Sequence, residues 1–205
     1  MTAILNSSIV FSKAFTDHAA VIRSLELQQP LLQTIAGELA KSIRNRHKIL
    51  WCGNGGSAAD SQHLAAELVG RFRRDRRGLP SIALTTDTSI LTAIANDFGY
   101  EDVFRRQVEA LGEPGDVLVG ISTSGNSKNV CGALELARDM GLITVAMTGL
   151  GGGKMAALAD HSLCIDSTDT ARVQEAHILV GHMFCDWIEL TVLEGRDHPR
   201  GSQYE

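Results

Sequence analysis

His63 and Glu67 stand four residues apart, so a helix containing them carries an imidazole and a carboxylate on one face, one turn above the other. Such a pair can hold a divalent cation such as zinc. It can equally be a hydrogen-bonded pair on the surface. A second group lies far along the chain, where Gln174, His177 and His182 interrupt an apolar run. Gln174 and His182 are eight positions apart, which on a straight helix is ~12 Å. One metal meets both from a single chain only when both side chains reach toward each other. The expectation is therefore that the helix begins irregularly near Gln174 or that subunits share the site. His177 reads as packing or as support for its neighbours.

Two loops could bind an anion. The first is Cys52-Gly53-Asn54-Gly55-Gly56-Ser57, where glycines let the backbone approach a ligand and the next helix offers free N–H groups. It has neither the Gly-Lys-Ser ending of a nucleotide loop nor the glycine spacing of a dinucleotide loop. A tight turn with Ser57 as helix cap is the plainer alternative. The second loop, Ser122-Thr123-Ser124-Gly125-Asn126-Ser127, sets four hydroxyls around a glycine and again runs into a helix. A serine-rich cap is the alternative here too. Together the loops point to phosphate, and the absence of a lysine in either favours a phosphorylated sugar over a nucleoside triphosphate. Asn96 and Asp97 could line a sugar pocket, as could Thr85-Thr86-Asp87-Thr88, although Asp87 also fits a simple helix cap. Between Arg71 and Arg77 lie five arginines in seven residues. The run reads as a solvated loop, with Arg71, nearest the His63 helix, placed to face a phosphorylated substrate.

The elements that must position these groups follow from hydrophobic periodicity. Phe11, Phe15, Ile22 and Leu25 recur at helical spacing, and a second helix follows Pro30 with Leu31, Leu32, Ile35, Leu39 and Ile43 on one stripe. Short apolar runs then alternate with helical patterns. Strands are expected at Ile49–Cys52, Ile82–Thr85, Val117–Ser122, Ile143–Met147 and His161–Ile165. Helices are expected near Ser57–Val69, Thr88–Ala95, Val103–Leu111, Ser127–Met140 and Lys154–Ala159. A last helix, about Ala171 to Leu193, is apolar on almost every side. Strand–helix alternation makes a parallel sheet covered on both faces, here a three-layer α/β/α sandwich of five strands. Ligands of such sheets bind beyond the carboxyl ends of the strands. The chain divides into a helical oligomerisation segment (1–46), the α/β domain (47–195) and a tail (196–205). An all-round apolar last helix implies a covering subunit, with the N-terminal helices sharing that interface.

The 205 residues are 44% hydrophobic and 21% charged, enough core for one domain and too little charge for disorder. A net charge of −5 argues against a general nucleic-acid binder. The first thirty residues lack the basic start and apolar run of a secretory signal, and no uninterrupted apolar stretch reaches membrane-spanning length. Cys52, Cys131, Cys164 and Cys185 form no C-x-x-C pair and read as reduced small hydrophobes of a cytoplasmic protein.

Three stretches carry a resemblance: CGNGGSAADSQHLAAELVGRF, LPSIALTTDTSILTAIANDFGYEDVFRRQVEALGEPGDVLVGISTSGNSKNV and RVQEAHILVGHMFCDWIE. They resemble the phosphoheptose isomerases, enzymes with a sugar-isomerase (SIS) domain, over nearly the whole chain. The resemblance implies interconversion of sedoheptulose 7-phosphate and D-glycero-D-manno-heptose 7-phosphate, the first step toward activated heptose for lipopolysaccharide core and related glycans. It implies a homotetramer with active sites at subunit contacts, and one zinc per subunit. His63, Glu67, Gln174 and His182 look like the metal ligands, and Glu67 and His182 match the acid–base pair. Ser57, Ser122, Ser124 and Ser127 resemble the phosphate contacts. Asn54, Gly55, Gly56, Arg71, Asn96, Asp97, Thr123 and Gln174 fall around the sugar. Where some relatives carry an aspartate, this chain has Ala171. A metal on Glu67 would lower its basicity, so either one of its oxygens stays free or His182 carries more of the proton transfer. The competing reading is a non-catalytic tetrameric SIS scaffold that binds the replication initiator. Glu67 and the serine loop, both kept here, argue for catalysis. Another sugar-phosphate isomerase of the same fold is the third possibility.

Overall fold

The computed structural model describes residues 7–194, so the 196–205 tail lies outside the described residues. Helices α1 (Ser7–Glu26) and α2 (Gln29–Arg44) precede β1 (Ile49–Gly53) and α3 (Gly56–Val69). Next come β2 (Ser81–Ala83), α4 (Thr88–Asp97), a 3-10 turn (Tyr100–Asp102) and α5 (Arg105–Leu111). The chain continues through β3 (Val117–Ser122), α6 (Lys128–Asp139), β4 (Ile143–Thr148), α7 (Met155–Leu158), β5 (His161–Cys164) and α8 (Thr170–Glu194). All five strands are parallel, in the order β2-β1-β3-β4-β5.

Alternation along the strands builds two cores. Ile49 and Trp51 of β1 pack with α1, α2, α3 and α8, whereas Leu50 and Cys52 point the other way, toward α5 and α6. Val117, Val119 and Ile121 of β3 repeat the first direction and Leu118 the second. Every residue of β1 and β3 is buried, as two-sided coverage requires. The strand order reverses between β1 and β3, so the loops leaving those two strands lie side by side at the switch point.

Three expectations need correction. The second helix begins at Gln29 and takes Pro30 into its first turn, where a missing N–H costs nothing. The β2 strand ends at Ala83, and Thr85 and Thr86 turn toward α4. On α1 the buried residues are Val21 and Leu25, while Phe11 and Phe15 are 62% and 75% exposed within one chain. The stripe of α1 is thus only half buried. By length and hydropathy α8 alone among the described helices could cross a membrane. It buries Val173, Ala176, Val180, Phe184, Cys185 and Ile188 and also His177 and Glu189, the pattern of a core helix. The four cysteines are free, three buried and Cys164 half-buried.

Candidate active site

Helices α3 and α8 run side by side in the same direction. Gln174 lies against Gly56 and Asp60, Gly181 against Leu64, His182 against His63, and Glu189 against the segment after α3. A glycine inside a helix costs about 1 kcal/mol relative to alanine. At Gly181 the reason is contact, because a methyl there would sit 2.5 Å from both Leu64 Cδ atoms. The close approach brings His63 Nε2 to 2.9 Å from His182 Nε2 and 3.2 Å from Glu67 Oε1. One ligand atom from each of the three residues lies within 4.8 Å of the others. Donors around a tetrahedral zinc with bonds near 2.0–2.1 Å are about 3.3 Å apart. Two imidazoles and a carboxylate at these spacings can therefore hold a metal ion.

The environment favours that role. Burial pushes the His182 imidazole below its ordinary pKa, His63 and Arg73 push the same way, and Glu67 opposes them. A neutral imidazole keeps the lone pair that a metal or a proton needs. The Phe72 ring stacks on His182 with centroids 5.3 Å apart and fixes its plane.

Gln174 behaves differently from the other three. The α8 helix is unbroken through it, so the expected irregular start is corrected. Its Nε2 donates to Asp60 Oδ1 at 3.5 Å, and among the described residues no hydrogen bond joins it to His63, Glu67 or His182. Asp60 escaped the sequence reading, although it precedes His63 by three positions. Burial raises its carboxyl, with Gln174 and His63 offsetting part of the rise. Its Oδ2 is buried without a partner.

The second loop forms a hydroxyl cradle. Ser122 Oγ lies 2.9 Å from Ser127 Oγ and 3.3 Å from Ser124 Oγ. Ser127 holds the cap position of α6 yet makes no side-chain cap bond, so its hydroxyl stays with the cluster. Thr123 is anchored through its carbonyl, which accepts from the Gly149 N–H at 3.1 Å. The loop is clamped from behind. Gly125 has φ +64°, and a methyl on it would lie 2.2 Å from the Gly152 carbonyl oxygen. Gly125→Ala is expected to shift the cradle and raise KM for a sugar phosphate about tenfold, the worth of one charge-assisted hydrogen bond. Unchanged KM in steady-state assays would remove the cradle from substrate binding.

The first loop is not capped by Ser57. Gly55 occupies the cap position of α3, and Ser57 is buried in the first helical turn. Asn54 exchanges hydrogen bonds with Asn129 and accepts one from Tyr100. The sequence reading missed both partners. Asn129 lies two positions past Ser127, and Tyr100 adjoins the positive-φ Gly99, but only the tertiary fold joins them. Along α3 the His63 group lies seven residues from Gly56, ~10 Å away.

Other expected site residues are placed without such links. Asn96 and Asp97, exposed at the end of α4, bond to each other at 2.8 Å and, among the described residues, to no member of the cradle. Asp87 is the plain cap, accepting from the Ile90 N–H at 2.9 Å. Arg71 is exposed just past α3. The arginine run is only partly the expected solvated loop: Arg73 and Arg77 are exposed, but the Arg76 side chain is buried. Arg73 and Arg74 pair with Asp186 on α8. Arg76 pairs with Glu189 at 2.9 Å and donates to the carbonyls of Glu67, Leu68 and Gly70 at the end of α3.

Known proteins match this chain in sequence and fold. The SIS-domain family profile covers residues 15–149. The chain is 56% identical over 172 residues to the phosphoheptose isomerase of Roseiflexus sp. (strain RS-1), spanning 84% of this chain and 87% of that one. It is 55% identical over 181 residues to that of Helicobacter pylori (strain P12), spanning 88% and 94%. The chain belongs to the phosphoheptose isomerase family. The solved phosphoheptose isomerase of Neisseria gonorrhoeae has the family's fold as seen here. It aligns with a TM-score of 0.84 at 45% identity, over 90% of this chain and 100% of its own. The doubly wound five-strand sheet with flanking helices is that SIS fold.

Proposed function

We propose that the chain converts sedoheptulose 7-phosphate to D-glycero-D-manno-heptose 7-phosphate in the cytoplasm, as the first step toward ADP- or GDP-heptose for lipopolysaccharide core or related glycans. Family membership supports the isomerase class and a sugar-phosphate substrate. The observation that carries the reading is the combination of a hydroxyl cradle with an imidazole–carboxylate–imidazole group. These relatives give no support to a replication-initiator scaffold.

The chemistry follows from the residues. Converting a ketose to an aldose moves a proton between C1 and C2 through a cis-enediol. Glu67 meets His63 through Oε1, so Oε2 remains to take the carbon-bound proton and return it to the adjacent carbon. His182, held neutral and stacked on Phe72, exchanges protons with the sugar oxygens. Ser57, Ser122, Ser124 and Ser127 and the N–H groups opening α3 and α6 hold the phosphate. Asn54 and Thr123, at the ends of β1 and β3, face the sugar. Arg71, Asn96, Asp97 and Gln174 complete the pocket once subunits associate.

His63, Glu67 and His182 would hold a zinc ion, and Gln174, which bonds Asp60 within its own chain, would serve as fourth ligand only across a subunit contact; the bound ion would polarise the substrate oxygens and stabilise their developing charge. His182→Ala is expected to lower zinc to well below one ion per chain, measured by elemental analysis of protein purified without chelators or a histidine tag. Full zinc content in that variant would exclude His182 as a ligand.

We further infer a homotetramer with subunits sharing the site. On α8 Leu179, Met183 and Trp187 are 38%, 46% and 47% exposed; Leu179 and Met183 line a groove with Ile22 and Leu25 of α1, and Trp187 lies beside Leu32 and Ala36 of α2. The His63 side chain is half exposed within one chain. The deciding assay is purified protein with sedoheptulose 7-phosphate. Formation of the aldose heptose phosphate is expected; no turnover with or without added zinc would overturn the reading.

A further inference from the structure

Behind the first loop a set of amide bonds has only one self-consistent arrangement. Asn129, in the first turn of α6, is 4% exposed. Its Oδ1 accepts from the Val130 backbone N–H at 3.0 Å and from Asn54 Nδ2 at 2.9 Å. Its Nδ2 donates to Asn54 Oδ1 at 2.9 Å. The Tyr100 hydroxyl donates to the same Asn54 Oδ1 at 3.0 Å. A backbone N–H can only donate, so flipping the Asn129 amide would set donor against donor. Asn129 is therefore fixed, and it fixes Asn54 in turn. Both lone pairs of Asn54 Oδ1 are engaged, and one of the two Nδ2 hydrogens is engaged. What Asn54 has left is a single N–H, held at the junction of β1 and β3.

We propose that Asn129 and Tyr100 are positioning residues that lock Asn54 as a one-way hydrogen-bond donor to an oxygen of the sugar phosphate. This rests on the isomerase reading above. An amide free to rotate could equally offer its carbonyl to a sugar hydroxyl. The locked amide offers only N–H and selects an oxygen that accepts. That polarity suits an oxygen that gains negative charge along the reaction, and no reorganisation is needed when the charge appears. An exposed ion pair of Lys128 with Glu101, at 2.6 Å, also joins the 3-10 turn to the start of α6.

The test is a double-mutant cycle in the full-length enzyme, with kcat/KM for sedoheptulose 7-phosphate as the readout. Asn129→Leu and Tyr100→Phe are each made in the parent and in an Asn54→Ala background. In the parent, Asn129→Leu is expected to lower kcat/KM about tenfold and Tyr100→Phe about fivefold, the scale of one or two hydrogen bonds. In the Asn54→Ala background each is expected to change it less than about twofold, because residues acting through one group are not additive. Should Asn129→Leu fail to fold, the Tyr100→Phe cycle decides, since that ring is 59% exposed. Equal losses in both backgrounds, or no loss in the parent, would overturn the inference while leaving the isomerase reading standing. A parent enzyme without turnover would sink that reading and this inference with it.

Discussion

Glu67→Gln is expected to lower kcat about a thousandfold, within the range that loss of a general base costs, with no change in assembly size or in thermal midpoint. Glutamine keeps the shape of the side chain and cannot take a proton from carbon. Its amide oxygen can still face His63 where Glu67 Oε1 now lies at 3.2 Å, so the packing of α3 on α8 should survive. Comparing kcat with the rate of solvent-deuterium exchange into the substrate separates proton abstraction from binding. Near-normal turnover in this variant would require another base, and His63 and His182 are the imidazoles of the cluster that could serve.

Glu189→Ala should destabilise the fold by about 3–5 kcal/mol, the cost of stranding a buried partner charge. Glu189 is fully buried, and its carboxylate accepts from the backbone N–H groups of Phe72, Arg73 and Arg74 at 2.8, 3.0 and 3.0 Å. Its ion-pair partner Arg76 has a side chain only 2% exposed. Truncation leaves three N–H groups without their acceptor and the guanidinium charge without its carboxylate, with only the carbonyls at the end of α3 still accepting from it. The thermal midpoint is expected to fall by roughly 10 °C. Burial pushes the Glu189 carboxyl up, but the three N–H groups and Arg76 outweigh it and hold the pKa below the ordinary value. A depressed carboxylate contributes stability above its unfolded pKa, about 4.3, and loses it as pH falls through the folded value. The gap in midpoint between parent and variant should therefore be widest at neutral pH and narrow below about pH 4.3. A gap that is small at neutral pH, or constant across this range, would refute the anchoring role.

This anchor also shows why the arginine run misled the sequence reading. Five arginines in seven residues look solvated because nothing local neutralises them. The carboxylates that pair with Arg73, Arg74 and Arg76, those of Asp186 and Glu189, lie more than a hundred residues away on a largely apolar helix. The Phe11 and Phe15 stripe misled in the opposite sense: its period was read correctly, but one chain alone does not cover it.

The sequence by itself determined the strand–helix alternation, the parallel three-layer sheet, the glycine- and serine-rich loops after β1 and β3 and the pairing of His63 with Glu67. Those features rest on local periodicity and on spacings of a few residues, which a chain carries wherever it folds. Only the tertiary structure decided that the Ser127 hydroxyl, at the cap position of α6, bonds Ser122 and not the helix, that Asn129 and Tyr100 hydrogen-bond Asn54, and that Gln174 meets Asp60 one turn from the His63 group. It also placed His182 against His63 through the close approach at Gly181. These contacts join residues from 5 to 119 positions apart. Their geometry depends on how tightly two helices and two strand ends pack, which no local pattern encodes.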